Sequence, residues 1–244
     1  MRLPSLSAVV ERRLLVNYRV EPAVIAKLLP PAFEPLLAGG WAVAGICLIR
    51  LGSVRPPGLP ALVPSSENAA HRIAVQWQQD GERRVGVWIP RRDTSSALTV
   101  LLGGRVFPGE HTRARFDVRE TDSRLRVGYR TVDGSARVDV EVDVVDELVG
   151  SELFADLQDA STFFRLGAQG FSATRRGRAH DGLELSTDAW AVSAGAPRHC
   201  TSSWFDDPAR FPPGSVALDS ALVMRQVPVL WRALPELAAT AAGT

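Results

Sequence analysis

Glu67 and His71 are the residues whose spacing first suggests chemistry. Side chains of a strand alternate between its two faces, so residues four apart share one. If the run Ile73, Val75, Trp77 extends backwards as a strand, Glu67 and His71 stand on its apolar-facing side. An ionisable pair on an inward face is costly unless it is paired or binds something. The alternative is that residues 65–70 form a loop and Glu67 is solvated. The other histidines, His111, His180 and His199, are scattered, and with Cys47 and Cys200 they give no metal-ligand spacing. No metal and no cofactor are expected. There is no Gly-rich phosphate loop, no His-Glu-x-x-His and no paired Cys-x-x-Cys, and Gly170-Phe-Ser-Ala-Thr174 lacks the closing glycine of a nucleophile elbow. His199-Cys200 reads as a surface histidine beside a buried structural cysteine.

The elements that would position these groups are mainly strands. Leu125, Val127 and Tyr129 alternate with arginines, and Val138, Val140, Val142 and Val144 alternate with acids, around Asp133-Gly134. A two-residue loop there pairs Leu125 with Val142, Val127 with Val140 and Tyr129 with Val138. It also sets Arg124 opposite Asp143 and Arg126 opposite Glu141. Apolar and charge patterns agree on one register. A second hairpin spans 71–89, and a three-residue loop at Asp80-Gly81-Glu82 would pair Trp77 with Val85 and Ile73 with Ile89. Ala114, Phe116 and Val118 alternate on a further strand. Pro22 to Leu29 reads as a short helix ended by Pro30, and 151–164 as a longer one with Ser151 as N-cap. Many strands and few helices predict a mainly β (α+β) fold in one domain over 1–244, a closed or half-closed barrel.

Bulk composition excludes several functions. Net charge is +1, with 28 basic residues against 27 acids, so no domain-wide field points to nucleic acid or an anionic membrane. The chain is 45% hydrophobic and 23% charged, ordinary for a packed globule. Its longest apolar run, Trp41 to Ile49, is too short to cross a bilayer as a helix, and Glu11, Arg12 and Arg13 stand where a signal peptide would be apolar. A cytoplasmic location is expected.

The order and spacing of several motifs carry a resemblance. Arg12-Arg-Leu-Leu-Val-Asn-Tyr-Arg-Val-Glu-Pro22, Leu28-Leu-Pro-Pro31, Gly86-Val-Trp-Ile-Pro90, Ala160-Ser-Thr-Phe-Phe-Arg165, Ser202-Ser-Trp-Phe-Asp-Asp207 and Asp219-Ser-Ala-Leu-Val-Met-Arg225 together resemble the bacterial DUF2071 family. That family is similar in turn to acetoacetate decarboxylase. The resemblance implies an antiparallel, cone-shaped β-barrel with its site inside. It implies that Ser65-Ser-Glu67 keeps a site glutamate and that Gly104-Arg105-Val106 keeps the arginine of a Gly-Arg-Glu motif. The paired lysines of the decarboxylase fall on Thr112 and Arg113. Thr112 shares parity with Ala114 and Phe116 and would point inward. Imine chemistry needs an amine whose pKa is lowered by a neighbouring cation, and acetoacetate decarboxylase is itself the standard example of that device. Thr112 forms no imine, and Arg113 stays charged. Lys27, the only lysine, belongs to the short N-terminal helix and reads as a surface residue.

Three functional readings follow. The first is a small-molecule enzyme of acid/base type, acting as lyase, isomerase or hydratase on an oxo-acid or polyketide-like ligand. Glu67 and Arg105 would be catalytic, with His71, His111, Thr112 and Arg12 binding substrate. The second is a non-catalytic barrel that binds a small ligand, and the third a barrel filled by its own side chains. In each the partner is at most a small molecule, with no nucleic acid and no membrane; an oligomer is compatible with the sequence.

Overall fold

The computed structural model describes residues 5–52, 54–56, 64–103, 109–174 and 179–238. Alternating apolar and polar residues make strands of most of it: β1 (Ser5–Val20), β2 (Glu34–Pro35), β3 (Leu37–Ala38), β4 (Trp41–Leu51), β5 (Ser66–Gln79), β6 (Glu82–Thr94), β7 (Thr112–Glu120), β8 (Arg124–Thr131), β9 (Arg137–Val145), β10 (Gln169–Ala173), β11 (Ala179–Ser186), β12 (Ser193–Ser202), β13 (Val216–Ala233) and β14 (Leu237–Ala238). The helices are short: α1 (Pro22–Ala26), α2 (Ala97–Leu102) and α3 (Leu157–Leu166). No helix among the described residues is long and apolar enough to cross a membrane.

Hydrogen bonding runs round a ring of nine strands, β6-β7-β8-β9-β12-β13-β1-β4-β5, closed by the β5–β6 hairpin. Every join is antiparallel except β6–β7, where Asp93 meets Thr112 and Thr94 meets Arg113 in parallel. The parallel join follows from the crossover through α2, since parallel neighbours cannot be linked by a tight turn. A second closure shares part of this ring. β10 pairs with β6 at Val87 and Trp88, and β11 pairs with the far end of β13 from Leu183 to Ser186. Strands β13, β1, β4, β5 and β6 therefore form a wall with two interior faces. On one face Leu14, Val16, Ile46, Leu48, Ile73 and Val75 join Val127 and Val140 across the ring. On the other, Leu15, Val43, Cys47 and Ala74 pack beneath Ala160 and Phe164 of α3.

The β8–β9 register is the expected one, with Leu125 opposite Val142, Val127 opposite Val140 and Arg124 opposite Asp143. The turn is wider than two residues, because the last backbone bond joins Thr131 to Ala136. The 71–89 hairpin differs from expectation. Asp80 and Gly81, at φ 54° and 78°, make a two-residue turn, so Gln79 pairs with Glu82, Trp77 with Arg84 and Ile73 with Trp88. One residue of slip exchanges the faces of β6. Trp88 enters the ring core, and Val87 and Ile89 face the other side. The expected helix over 151–164 also starts later. Ser151 closes a local turn by accepting from the backbone N–H groups of Leu153 and Phe154, and Asp156 caps α3 by accepting from Asp159. Lys27 is the exposed C-cap of α1.

Candidate functional site

A bulge puts one arginine inside the ring. Val10 pairs with Leu51 and Arg12 with Arg50, leaving Glu11 as an extra residue on β1. The bulge reverses the faces, so Val10 packs with Leu51 on one side while Arg12 turns into the ring. Arg12 is 1% exposed. Its Nη2 pairs with one oxygen of Glu67, while Nη1 donates to the other at 3.4 Å and to Glu120 Oε2 at 3.4 Å. Arg50, held by Glu11 at 3.0 Å, reaches toward both acids at the rim. Ser95 fixes the Glu67 backbone by exchanging hydrogen bonds with it. The Glu67 carboxylate is thus neutralised within the ring.

Of the other expected residues, His71 and His111 are not gathered there. His71 shares the inner face but lies deeper, 5.2 Å from the Trp204 ring, with neither nitrogen hydrogen-bonded. Burial, with Arg91 and Arg210, pushes its pKa down to about 3, so it is a neutral member of the aromatic core. Thr112 opens β7 beside Asp93, which is held by Arg91 and by the Tyr129 hydroxyl at 3.0 Å. His111, one residue earlier, lines a cavity on the other face of the wall. Arg105 lies outside the described residues.

That cavity, of about 330 Å³, lies between the wall, α3 and the β10–β11 hairpin. Ile49, Ala74, Val87, Ile89, Phe164 and Leu183 make it mainly apolar, and the exposed Arg165 and Ser186 stand on its rim. Three arginines enter it, none of them an expected site residue. Arg72 is 3% exposed, lies 4.6 Å over the Phe164 ring and donates to Asn17, while its Nε has no partner. A Cβ at Gly45 would stand 2.3 Å from the Val16 carbonyl oxygen and 3.3 Å from Arg72 Nη2, so the close approach of β1 already requires glycine beside the guanidinium. Arg92 donates from Nε to Ser172 Oγ at 3.0 Å, and its Nη2 has no partner. Arg13 donates from Nε to Cys47 Sγ at 3.2 Å. Among the described residues no carboxylate forms an ion pair with Arg13, Arg72 or Arg92. Burial lowers Arg72 and Arg92 to about 10 each, still charged at neutral pH. Burial and the Arg92 charge lower His111 to about 3, so it is neutral. Such a site suits an anion with an apolar body. Among the described residues no group of three His, Cys, Asp or Glu is arranged to hold a metal ion. The signal for Arg72 is its parity opposite Ile73 and Val75 on β5, legible only once that face is known to be covered.

Comparison with known proteins adds the following. The model of the DUF2071 family, an uncharacterized conserved protein, matches residues 8–176. A search of curated proteins returns no match. Acetoacetate decarboxylase from Legionella pneumophila superposes with a TM-score of 0.62 at 10% identity, over 96% of this chain and 88% of that one. The enduracididine biosynthesis enzyme MppR, complexed with pyruvate, gives 0.60 at 14%, over 98% and 91%. An acetoacetate decarboxylase-like enzyme from Sphingomonas wittichii RW1 gives 0.57 at 14%, over 96% and 91%. At these identities the likeness is one of fold.

Proposed function

This chain belongs to the DUF2071 family, and from that premise we propose that it binds a small organic acid with an apolar body beneath α3 and acts on it by proton transfer. One observation carries the reading: the Arg72 Nε and Arg92 Nη2 groups are buried without partners and line a mainly apolar cavity. A buried donor left unmade costs about 1–3 kcal/mol, more when charged, so a ligand carboxylate recovers that cost on binding. The cavity volume of about 330 Å³ fits a small molecule. His111, neutral and in the same cavity, can act on a ligand oxygen through its ring N–H, as a neutral imidazole of lowered pKa does. A solved neighbour holding pyruvate supports a small acid as ligand class. Imine chemistry has no place in this reading, because Lys27 is the exposed C-cap of α1 and the resemblance sets Thr112, which forms no imine, at the position of the imine lysine.

A second reading places the chemistry at Glu67, with Arg12 orienting the ligand and Thr112 on the same inner face. The buried Glu67–Arg12 pair favours it. Thermal-shift measurement against aliphatic and aromatic acids and their matching amides separates the two. On the first reading acids raise Tm, amides do not, and Arg92→Gln abolishes the shift while Glu67→Gln keeps it. The reverse pattern in the two variants moves the site to Glu67, and no shift with any acid ends the first reading. Borohydride trapping with acetoacetate or pyruvate is expected to give no adduct; a specific adduct on Lys27 would restore imine chemistry.

A further inference from the structure

Cys47 stands among the three arginines of the cavity, and the strand register shows why. Cys47 lies beside Ala70, and Ala70 beside Arg92, in one lateral row across β4, β5 and β6. Between two large groups Ala70 offers only a methyl, so the Arg92 guanidinium and the thiol share the space above it. Arg13 on β1 and Arg72 on β5 flank the same row, and Arg13 Nε donates directly to the sulfur at 3.2 Å. Guanidinium groups around the sulfur put positive charge where an anionic reagent would approach it. The 3%-exposed Arg72, with Nε unpartnered, marks the same cavity independently as a place for an anion.

We propose that Cys47 is a nucleophile of this cavity, directed at small organic acids that carry an electrophilic carbon, with Arg72 holding the carboxylate and Arg13 the sulfur. The proposal rests on the reading of the cavity as an organic-acid site. For an α,β-unsaturated acid the sulfur lone pair forms the S–C bond at the β-carbon, and the C=C pair moves to the α-carbon. The proton released from the thiol ends on that α-carbon. The net step adds S–H across the double bond, and no oxidant or reductant takes part. The other cysteine offers a contrast within the same molecule. Cys200 sits 2.9 Å from the Tyr18 hydroxyl, and burial pushes it up to about 11.

Alkylation kinetics followed by peptide mass spectrometry test this, with iodoacetate as the anionic probe and iodoacetamide as its neutral match. The expected result is an iodoacetate-to-iodoacetamide rate ratio at Cys47 about tenfold above that at Cys200, the size of a local electrostatic attraction. Arg72→Gln, or Arg92→Gln should the first fail to fold, lowers the Cys47 ratio toward that of Cys200 while iodoacetamide labelling continues. Equal ratios at the two cysteines, or no Cys47 labelling in folded protein that labels fully in denaturant, overturn the proposal. The thermal shift with unreactive acids is read in parallel on Cys47→Ser. If acids still raise Tm there while Cys47 proves inert, only the nucleophile role fails; if no acid raises Tm in the unsubstituted chain, the underlying reading fails.

Discussion

The two faces of the shared wall treat buried charge in opposite ways. Inside the ring, Arg12 is matched by Glu67 and Glu120, and Asp93 by Arg91 and Tyr129. Beneath α3, Arg13, Arg72 and Arg92 have hydroxyl, amide, thiol and ring neighbours but no paired carboxylate among the described residues. A charge buried with its partner belongs to the folding balance. A charge buried without one is retained at a cost, and such a cost is characteristic of a binding site.

The difference can be broken by removing one arginine from each side. Arg12→Met leaves Glu67 buried without its main partner, and an expected loss of about 3 kcal/mol in urea unfolding follows from breaking a buried pair. Arg92→Gln should change stability by no more than about 1 kcal/mol, because among the described residues its guanidinium is in no ion pair and the substitution removes one hydrogen bond, to Ser172. Similar losses from both would mean that the two faces are equally structural. A smaller effect concerns His71. Its pKa is lowered in the fold to about 3 from an ordinary 6.5, so the unfolded chain binds more protons between these values and stability falls as pH drops through that window. His71→Phe should flatten the slope of unfolding free energy between pH 6.5 and 5 by up to ~1.4 kcal/mol per pH unit. An unchanged slope would place the pH dependence elsewhere, on His111 for example. The smallest expected effect is at the β8–β9 turn, whose Ser135 accepts from Arg91 of β6 at 2.8 Å. Gly134 has φ 74° and open space where a Cβ would stand, so Gly134→Ala costs about 1 kcal/mol by backbone strain alone. It should leave any acid-induced Tm shift untouched, and a change in that shift would couple the two regions.

Legibility follows the same division. The β8–β9 hairpin is readable because one of its faces meets water: arginines and acids mark that face, valines the other, and Arg124 does bond Asp143 at 2.7 Å. Arg126 pairs diagonally with Asp139 at 3.0 Å although Glu141 lies opposite, since long side chains reach past the register partner. On β5 and β6 both faces are covered. Val85, Val87 and Ile89 look like a core face because nothing in their pattern distinguishes one interior from another, and the slip of one residue follows from that ambiguity. The Glu67–Arg12 contact is foreseeable in kind, as a buried carboxylate needs a cation. That Arg12 supplies it depends on the Glu11 bulge, for which the sequence has no marker. Arg72, Arg92 and Cys47 carry no such marker either, because a buried arginine reads in sequence as a solvated one, and only the covering helix α3 makes the difference.

The first strand of this fold waits for nearly the last. β1 is hydrogen-bonded along most of its length to β13, from Ser5 opposite Arg232 to Val20 opposite Val216. During synthesis β1 can join β4 and β5 early, but its other edge has no neighbour until the chain beyond Val216 has emerged. A long, apolar strand edge therefore stands open for most of translation, when pairing with another nascent chain competes with closure. Contacts so distant in sequence also make closure slow once the chain is free. The ring that gives the finished molecule two covered interiors is, for the growing chain, the last thing to exist.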